Sequence, residues 1–224
     1  MKLNVIITGA TGMVGKGVLL ECLESPDIES VLLINRRSIE MEHDRLKEIV
    51  HKDFYDLSTI EEQLQGYDAC FFCLGVSAYR MSEEDYTKIT HDLTLHFADT
   101  LLNLNPEMTF CYVSGQGTDG TEKSRMMWAR VKGKTENDLL AMPFKKAYMF
   151  RPGFIQPMKG IKSSTKMYNT MYSIVKPLMP VLKFLYPKSI TNSDRVGKAM
   201  INSVTKGYSK THLDNQDINQ LAAS

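Results

Sequence analysis

Gly9, Gly12 and Gly15 stand three residues apart, between the apolar run Leu3 to Ile7 and the apolar-periodic stretch Val14, Val18, Leu19, Cys22, Leu23. That order reads as a first strand turning into a first helix. In such a turn the first glycine permits a tight bend, the second lets backbone approach a diphosphate, and the third packs helix on strand. The N–H groups that open the helix then face the anion. Glycine also serves an ordinary left-handed turn, but a strand before it and a helix after it select the dinucleotide reading. A second feature, Asn35-Arg36-Arg37-Ser38, follows the apolar run Val31 to Ile34. An acid about 20 residues beyond the glycines bonds a ribose 2′-hydroxyl, whereas an arginine receives a 2′-phosphate. An amide and two forked, permanently charged guanidiniums at Arg36 and Arg37 therefore predict NADP rather than NAD. The alternative is a solvated surface pair.

Other reactive residues point away from metal and disulfide chemistry. Cys70 and Cys73 have redox-motif spacing, but they lie in the apolar run Ala69 to Leu74, which reads as a buried strand. Positions three apart on a strand face opposite ways, so two small core side chains are expected. His91 and His96, five apart, do not share a helical face, and no metal site is assigned.

The elements that would position these groups alternate along the chain. After the first two strands come Lys47 to His51, Asp68 to Gly75, Met108 to Ser114 and Lys145 to Phe150 as strands three to six. Ser58 reads as the start of a short helix with Glu61 and Glu62 in its first turn, and Ser82-Glu83-Glu84-Asp85 as the start of a long one reaching about Leu104. Ser193-Asp194 reads as the cap of a last helix through Val204, and the tail near Asp217-Ile218 as an edge strand or a segment docked on the sheet. The expectation is a doubly wound parallel α/β sheet in one domain, order 3-2-1-4-5-6, with any seventh strand at the edge. The chain's 224 residues suit one such domain.

The spacing Thr8-Gly9-Ala10-Thr11-Gly12-Met13-Val14-Gly15 resembles the short-chain dehydrogenase/reductase superfamily, in its atypical, NAD-dependent epimerase/dehydratase-like branch and the NADPH-binding Tat-interactive protein type. The resemblance runs along nearly the whole chain and implies further site residues. Gly9, Thr11, Gly12, Met13 and Val14 would cradle the diphosphate. Asp53 and Phe54 would hold the adenine, the carboxylate accepting from its amino group; an Asx turn is the other reading of Asp53. Leu74, Gly75 and Val76 would pass under the diphosphate and ribose. Ser114 would bond a substrate carbonyl. Lys132 would bond the nicotinamide ribose, unless it is simply a solvated helix lysine. Pro152, Gly153, Phe154 and Ile155 would line the nicotinamide end. One position departs from the pattern: Trp128 stands where the superfamily's Tyr-x-x-x-Lys helix has its tyrosine. An indole N–H donates a hydrogen bond but has no accessible proton to give.

Two functions stay open on this reading. One is an NADP(H)-dependent oxidoreductase or epimerase-like enzyme acting on a small carbonyl or hydroxyl compound. The other is a catalytically weak or inactive NADP(H)-binding regulatory or scaffold protein. A net charge of +1 gives no global attraction to nucleic acid, but residues 139–193 contain no Asp or Glu beside nine Lys and Arg. That span includes 158–190, read either as a Met-rich substrate lid or as packed helices whose lysines face water. An anionic small molecule is the expected partner for it, in preference to a membrane surface. With the first strand starting at residue 3 and no transmembrane stretch evident, the cytoplasm is the expected compartment.

Overall fold

The computed structural model describes residues 2–161 and 190–224. Six parallel strands form the body of the sheet: β1 (Leu3–Thr8), β2 (Ile28–Asn35), β3 (Leu46–Val50), β4 (Ala69–Phe72), β5 (Thr109–Val113) and β6 (Lys146–Phe150). The helices are α1 (Met13–Glu24), α2 (Glu83–Thr87), α3 (Leu93–Leu104), α4 (Met127–Ala141), α5 (Ser193–Thr205) and α6 (Asn215–Ala223). A short strand β9 (His212–Leu213) joins the far edge, giving the order β3-β2-β1-β4-β5-β6-β9. A separate parallel pair, β7 (Phe154–Gln156) with β8 (Ile190–Asn192), brackets the end of the described stretch and its resumption. Residues 162–189, which hold most of the 158–190 stretch and five of its lysines, lie outside the described residues.

Two apolar layers hold the helices on opposite faces of the sheet. One joins Val5, Ile7, Phe71 and Phe150 to Val18, Leu19 and Cys22 of α1, Val196 and Met200 of α5, and Ile218 and Leu221 of α6. The other joins Ile6, Leu32, Phe72, Phe110 and Tyr112 to Phe54, Phe97, Leu101 and Leu139. Strands β1 and β4 are buried on both faces, as central strands of a doubly wound sheet must be. Cys70 and Cys73 divide between the two layers and, with Cys22 and Cys111, are free thiols.

Local differences from the expected elements have local causes. Ser58 does not open a helix: its hydroxyl and its N–H both go to Asp56, and the 3-10 turn Glu61–Leu64 starts from Ile60 instead. Ser82 does cap its helix, accepting from the Asp85 N–H at 3.1 Å, and the helix continues from α2 to α3 through a π-turn at Lys88–Asp92. The cap of α5 is Asn192, whose side chain accepts from the Arg195 N–H at 2.7 Å, leaving Asp194 in the first turn. Asp217 and Ile218 lie on α6, where Asp214 and Asp217 form a capping box, so the edge strand falls five residues earlier than expected.

Candidate functional site

The turn from β1 to α1 is pressed against the end of β4. Gly9 has φ of +73°, and a Cβ there would sit 2.6 Å from the Cys73 carbonyl carbon and oxygen, so only glycine fits. Gly12 closes the turn by donating to the Gly9 carbonyl at 2.9 Å, and a Cβ on Gly15 would collide with that same carbonyl. Gly12 is the N-cap of α1, with no side-chain cap and no acid in the first turn. The first-turn N–H groups, including those of Met13 and Val14, are thus left for an anion.

In front of this turn lies a cleft of about 580 Å³ lined by Gly9, Thr11, Gly12, Ile34, Asn35, Arg36, Arg37, Lys52, Phe54, Cys73, Leu74 and Gly75. Eight of the residues expected at a dinucleotide meet there, from beyond four different strand ends. Lys52 was not foreseen, although it sits just past β3 as the arginines sit just past β2. Arg36 and Arg37 are exposed, and among the described residues neither has an acidic partner. Their loop is held by Glu48 of β3, which accepts from Asn35 Nδ2 at 3.0 Å, Ser38 Oγ at 2.5 Å and the Ile39 N–H at 3.1 Å. Asn35 therefore braces the loop and does not select the ribose by itself. Asp53 makes the Asx turn that was one of its two readings: its carboxylate accepts from the Tyr55 N–H at 2.9 Å, and it does not line the cleft. Phe54, 2% exposed, forms the wall instead, backed by Phe97.

Met13, Val14, Val76, Ser114, Trp128, Lys132, Pro152, Gly153, Phe154 and Ile155 do not line this cleft. Ser114, Lys132 and Pro152 converge farther along the strand ends. Lys132 Nζ donates to the Ser114 carbonyl, and burial pushes its amine down to about 8 against the opposing pull of Glu136. Ser114 is 7% exposed; its N–H donates to the Phe150 carbonyl at 2.9 Å and its hydroxyl to Glu136. This corrects the expectation of a hydroxyl offered to a carbonyl, because its proton is directed into the protein. Glu136, fully buried, is paired with Arg151 through Nε at 3.0 and 3.1 Å and through Nη2. Trp128 packs its ring edge over Gly117, 3.1 Å from where a Cβ would be, and makes no hydrogen bond among the described residues. Pro152 is buried and accepts from the Gln116 N–H at 2.9 Å, while the Gly153 N–H donates to Asn215 at 3.0 Å. Phe154 and Ile155 follow on β7.

Residues 5–134 match the NAD dependent epimerase/dehydratase family. The chain belongs to that family. Like other epimerase/dehydratase-type proteins, it is a nicotinamide-dinucleotide-binding protein on a short-chain dehydrogenase/reductase fold. It is 29% identical to Protein HTATIP2 of Rattus norvegicus over 154 residues, 68% of this chain and 62% of the rat protein. It is 30% identical to Protein FMP52, mitochondrial, of Saccharomyces cerevisiae, over 73% of this chain and 69% of that protein. The match spans less than two thirds of the rat protein's length. Among solved structures, a short chain dehydrogenase family protein from Francisella tularensis superposes with a TM-score of 0.66 at 15% identity, over 97% of this chain and 99% of that one. Several FMP52 relatives are named mitochondrial, which overturns the cytoplasmic expectation.

The described part of the basic span is also less free than its sequence implies. Arg151 is paired with Glu136, Lys159 with Glu21 and Glu24 at 2.6 Å each, and Lys145 with Glu107 at 3.8 Å. Acids outside the span thus pair with three of its four described cations. Among the described residues no helix is long and apolar enough to cross a membrane, and no group of His, Cys, Asp and Glu has the arrangement of a metal site. His91 instead bridges Asp92 and Asp138 at 2.7 Å each.

Proposed function

We propose that this epimerase/dehydratase-family protein binds NADP(H) in preference to NAD(H) and acts as an oxidoreductase or epimerase-like enzyme on a small hydroxyl or carbonyl compound. The observation that carries the cofactor choice is the trio Arg36, Arg37 and Lys52 along one side of the cleft, where no acid lines the wall. The cradle suits the cofactor: Gly9, Thr11 and Gly12 would admit a diphosphate onto the α1 N-terminus, Phe54 would give an apolar wall for adenine, and Leu74 and Gly75, with Val76 next in the chain, would hold the ribose side. On the same reading Pro152, Gly153, Phe154 and Ile155 would line the nicotinamide end. When bound, the cofactor supplies hydride exchange at its C4. On this reading the Lys132 amine, which donates to the Ser114 carbonyl, would hold a ribose hydroxyl, while Trp128 offers only a hydrogen-bond donor.

A second reading, a nucleotide-binding regulatory protein, is favoured by two features of the same region: Trp128 in the acid's position and a Ser114 hydroxyl turned inward. A general acid typically contributes 10²- to 10⁴-fold, so slow turnover is expected under the first reading and none under the second. Calorimetric titration of the two cofactors tests the cofactor choice. NADP should bind about tenfold or more tightly than NAD, and Arg36→Ala should remove most of that difference while leaving NAD binding unchanged. Equal affinities in the parent would overturn it. Turnover on a panel of small secondary alcohols and their ketones separates the two functions.

A further inference from the structure

Glu136 has no solvent contact, yet its carboxylate is met by groups from four places in the fold. Arg151, just past β6, covers both oxygens. Ser114, just past β5, donates its hydroxyl to Oε1. His212 of β9 brings Nε2 to 3.6 Å from Oε2, and Lys132, one helical turn away on α4, adds a favourable charge. A buried carboxylate persists where it is both paired and hydrogen-bonded, and Arg151 meets the first need while Ser114 helps meet the second. None of these contacts was legible as a site from the sequence, where Glu136 is only an acid four residues beyond Lys132.

The consequence falls on Ser114. A hydroxyl has one proton and two lone pairs. The other neighbour of Ser114 Oγ, the Phe150 carbonyl at 3.2 Å, is an acceptor too, and the charged carboxylate holds the proton more strongly than a neutral carbonyl does. No described donor reaches Ser114 Oγ, so the oxygen offers lone pairs and no proton. A ketone or aldehyde oxygen has nothing to donate to it, whereas an alcohol has.

We propose that Glu136, neutralised by Arg151, is a positioning residue that draws the Ser114 proton inward and so sets this site to recognise a hydroxyl rather than a carbonyl compound. The recognition half rests on Ser114 standing at the reacting end, as the proposed function has it; the positioning half does not.

Proton NMR of the full chain without substrate reads the positioning half directly. A hydroxyl held by a buried carboxylate exchanges slowly and should give one protected downfield resonance that is absent in Ser114→Ala. The resonance should shift upfield in Glu136→Gln; should that variant fail to fold, Glu136→Asp, which keeps the charge for Arg151, must move the same resonance. A parent with no such resonance, or one that survives Ser114→Ala, overturns the assignment. The recognition half is read with cyclohexanol and NADP against cyclohexanone and NADPH. Glu136→Gln should raise KM for the alcohol about tenfold more than for the ketone, with cofactor affinity unchanged. Equal effects on both overturn it, and so does a parent inactive in both directions, which sinks the enzyme reading as well. The NMR result stands apart from either.

Discussion

Lys132 shows what a single side chain gives up to reach this site. Its amine lies near 8 in the fold against 10.5 ordinarily, because burial disfavours the charged form. Between those values the unfolded chain holds a proton that the folded chain has released, so stability rises with pH across the window from 8 to 10.5. Below 8 the cost of burial, on the order of 3 kcal/mol for such a shift, is fully present, and it is relieved only as pH rises. Chemical denaturation of Lys132→Met and the parent at several pH values should show a flatter stability profile for the variant across that window, and parallel profiles would refute the account. That the glycines and the arginine pair would line one cleft was legible at this scale, because each follows directly on a readable strand. Glu136, Glu48 and Lys52 were not, since each acquires its role from partners on other elements, and no local spacing announces them. Asp53 stayed open for the converse reason: a short acid after a strand reads equally as a ligand and as a turn, and here the turn two residues away engages one of its oxygens.

At the scale of elements, the crossing of α1 and α5 is set by two glycines. A Cβ on Gly17 would lie 2.6 Å from the Ser193 Cβ, and one on Gly197 would lie 2.8 Å from the Glu21 Cβ and Cγ. The close approach buries Glu21, which is 4% exposed and paired with Lys159 of the basic span. Alanine in place of glycine within an exposed helix stabilises by about 1 kcal/mol. Here overpacking opposes that gain and costs about 1–3 kcal/mol, so Gly197→Ala should lower the thermal midpoint. A raised midpoint would show that α5 can retreat without loss. The strands and main helices were readable from apolar runs and periodicity, but the ends were not. Asn192 displaced Ser193 as the cap of α5 and Asp56 captured Ser58, because neighbouring polar residues compete for the same few N–H groups. The strands β7 and β8, three residues each, are too short to carry a period.

The whole molecule is the scale at which the sequence was most informative, since right-handed crossovers leave few ways to order six parallel strands. The added edge strand β9 depends on a two-residue pairing with β6, Met149 with His212 and Phe150 with Leu213, and brings the tail beside the buried Glu136. The cleft draws on β1, β2, β4 and the stretch after β3, so a ligand there ties together the centre and one edge of a single sheet. Binding to the folded state alone stabilises it by about 2.7 kcal/mol at a hundredfold excess over Kd. For a domain of this size each kcal/mol moves the midpoint by about 2–4 °C, so saturating NADP should raise it by about 5–10 °C. The same concentration of NAD should raise it by several degrees less, because a tenfold weaker Kd gives about 1.4 kcal/mol less stabilisation. Replacing Arg36 and Lys52 together by alanine should bring the two shifts together by lowering the NADP shift alone. A double variant that still separates the cofactors in differential scanning fluorimetry would move the selectivity away from this face of the cleft.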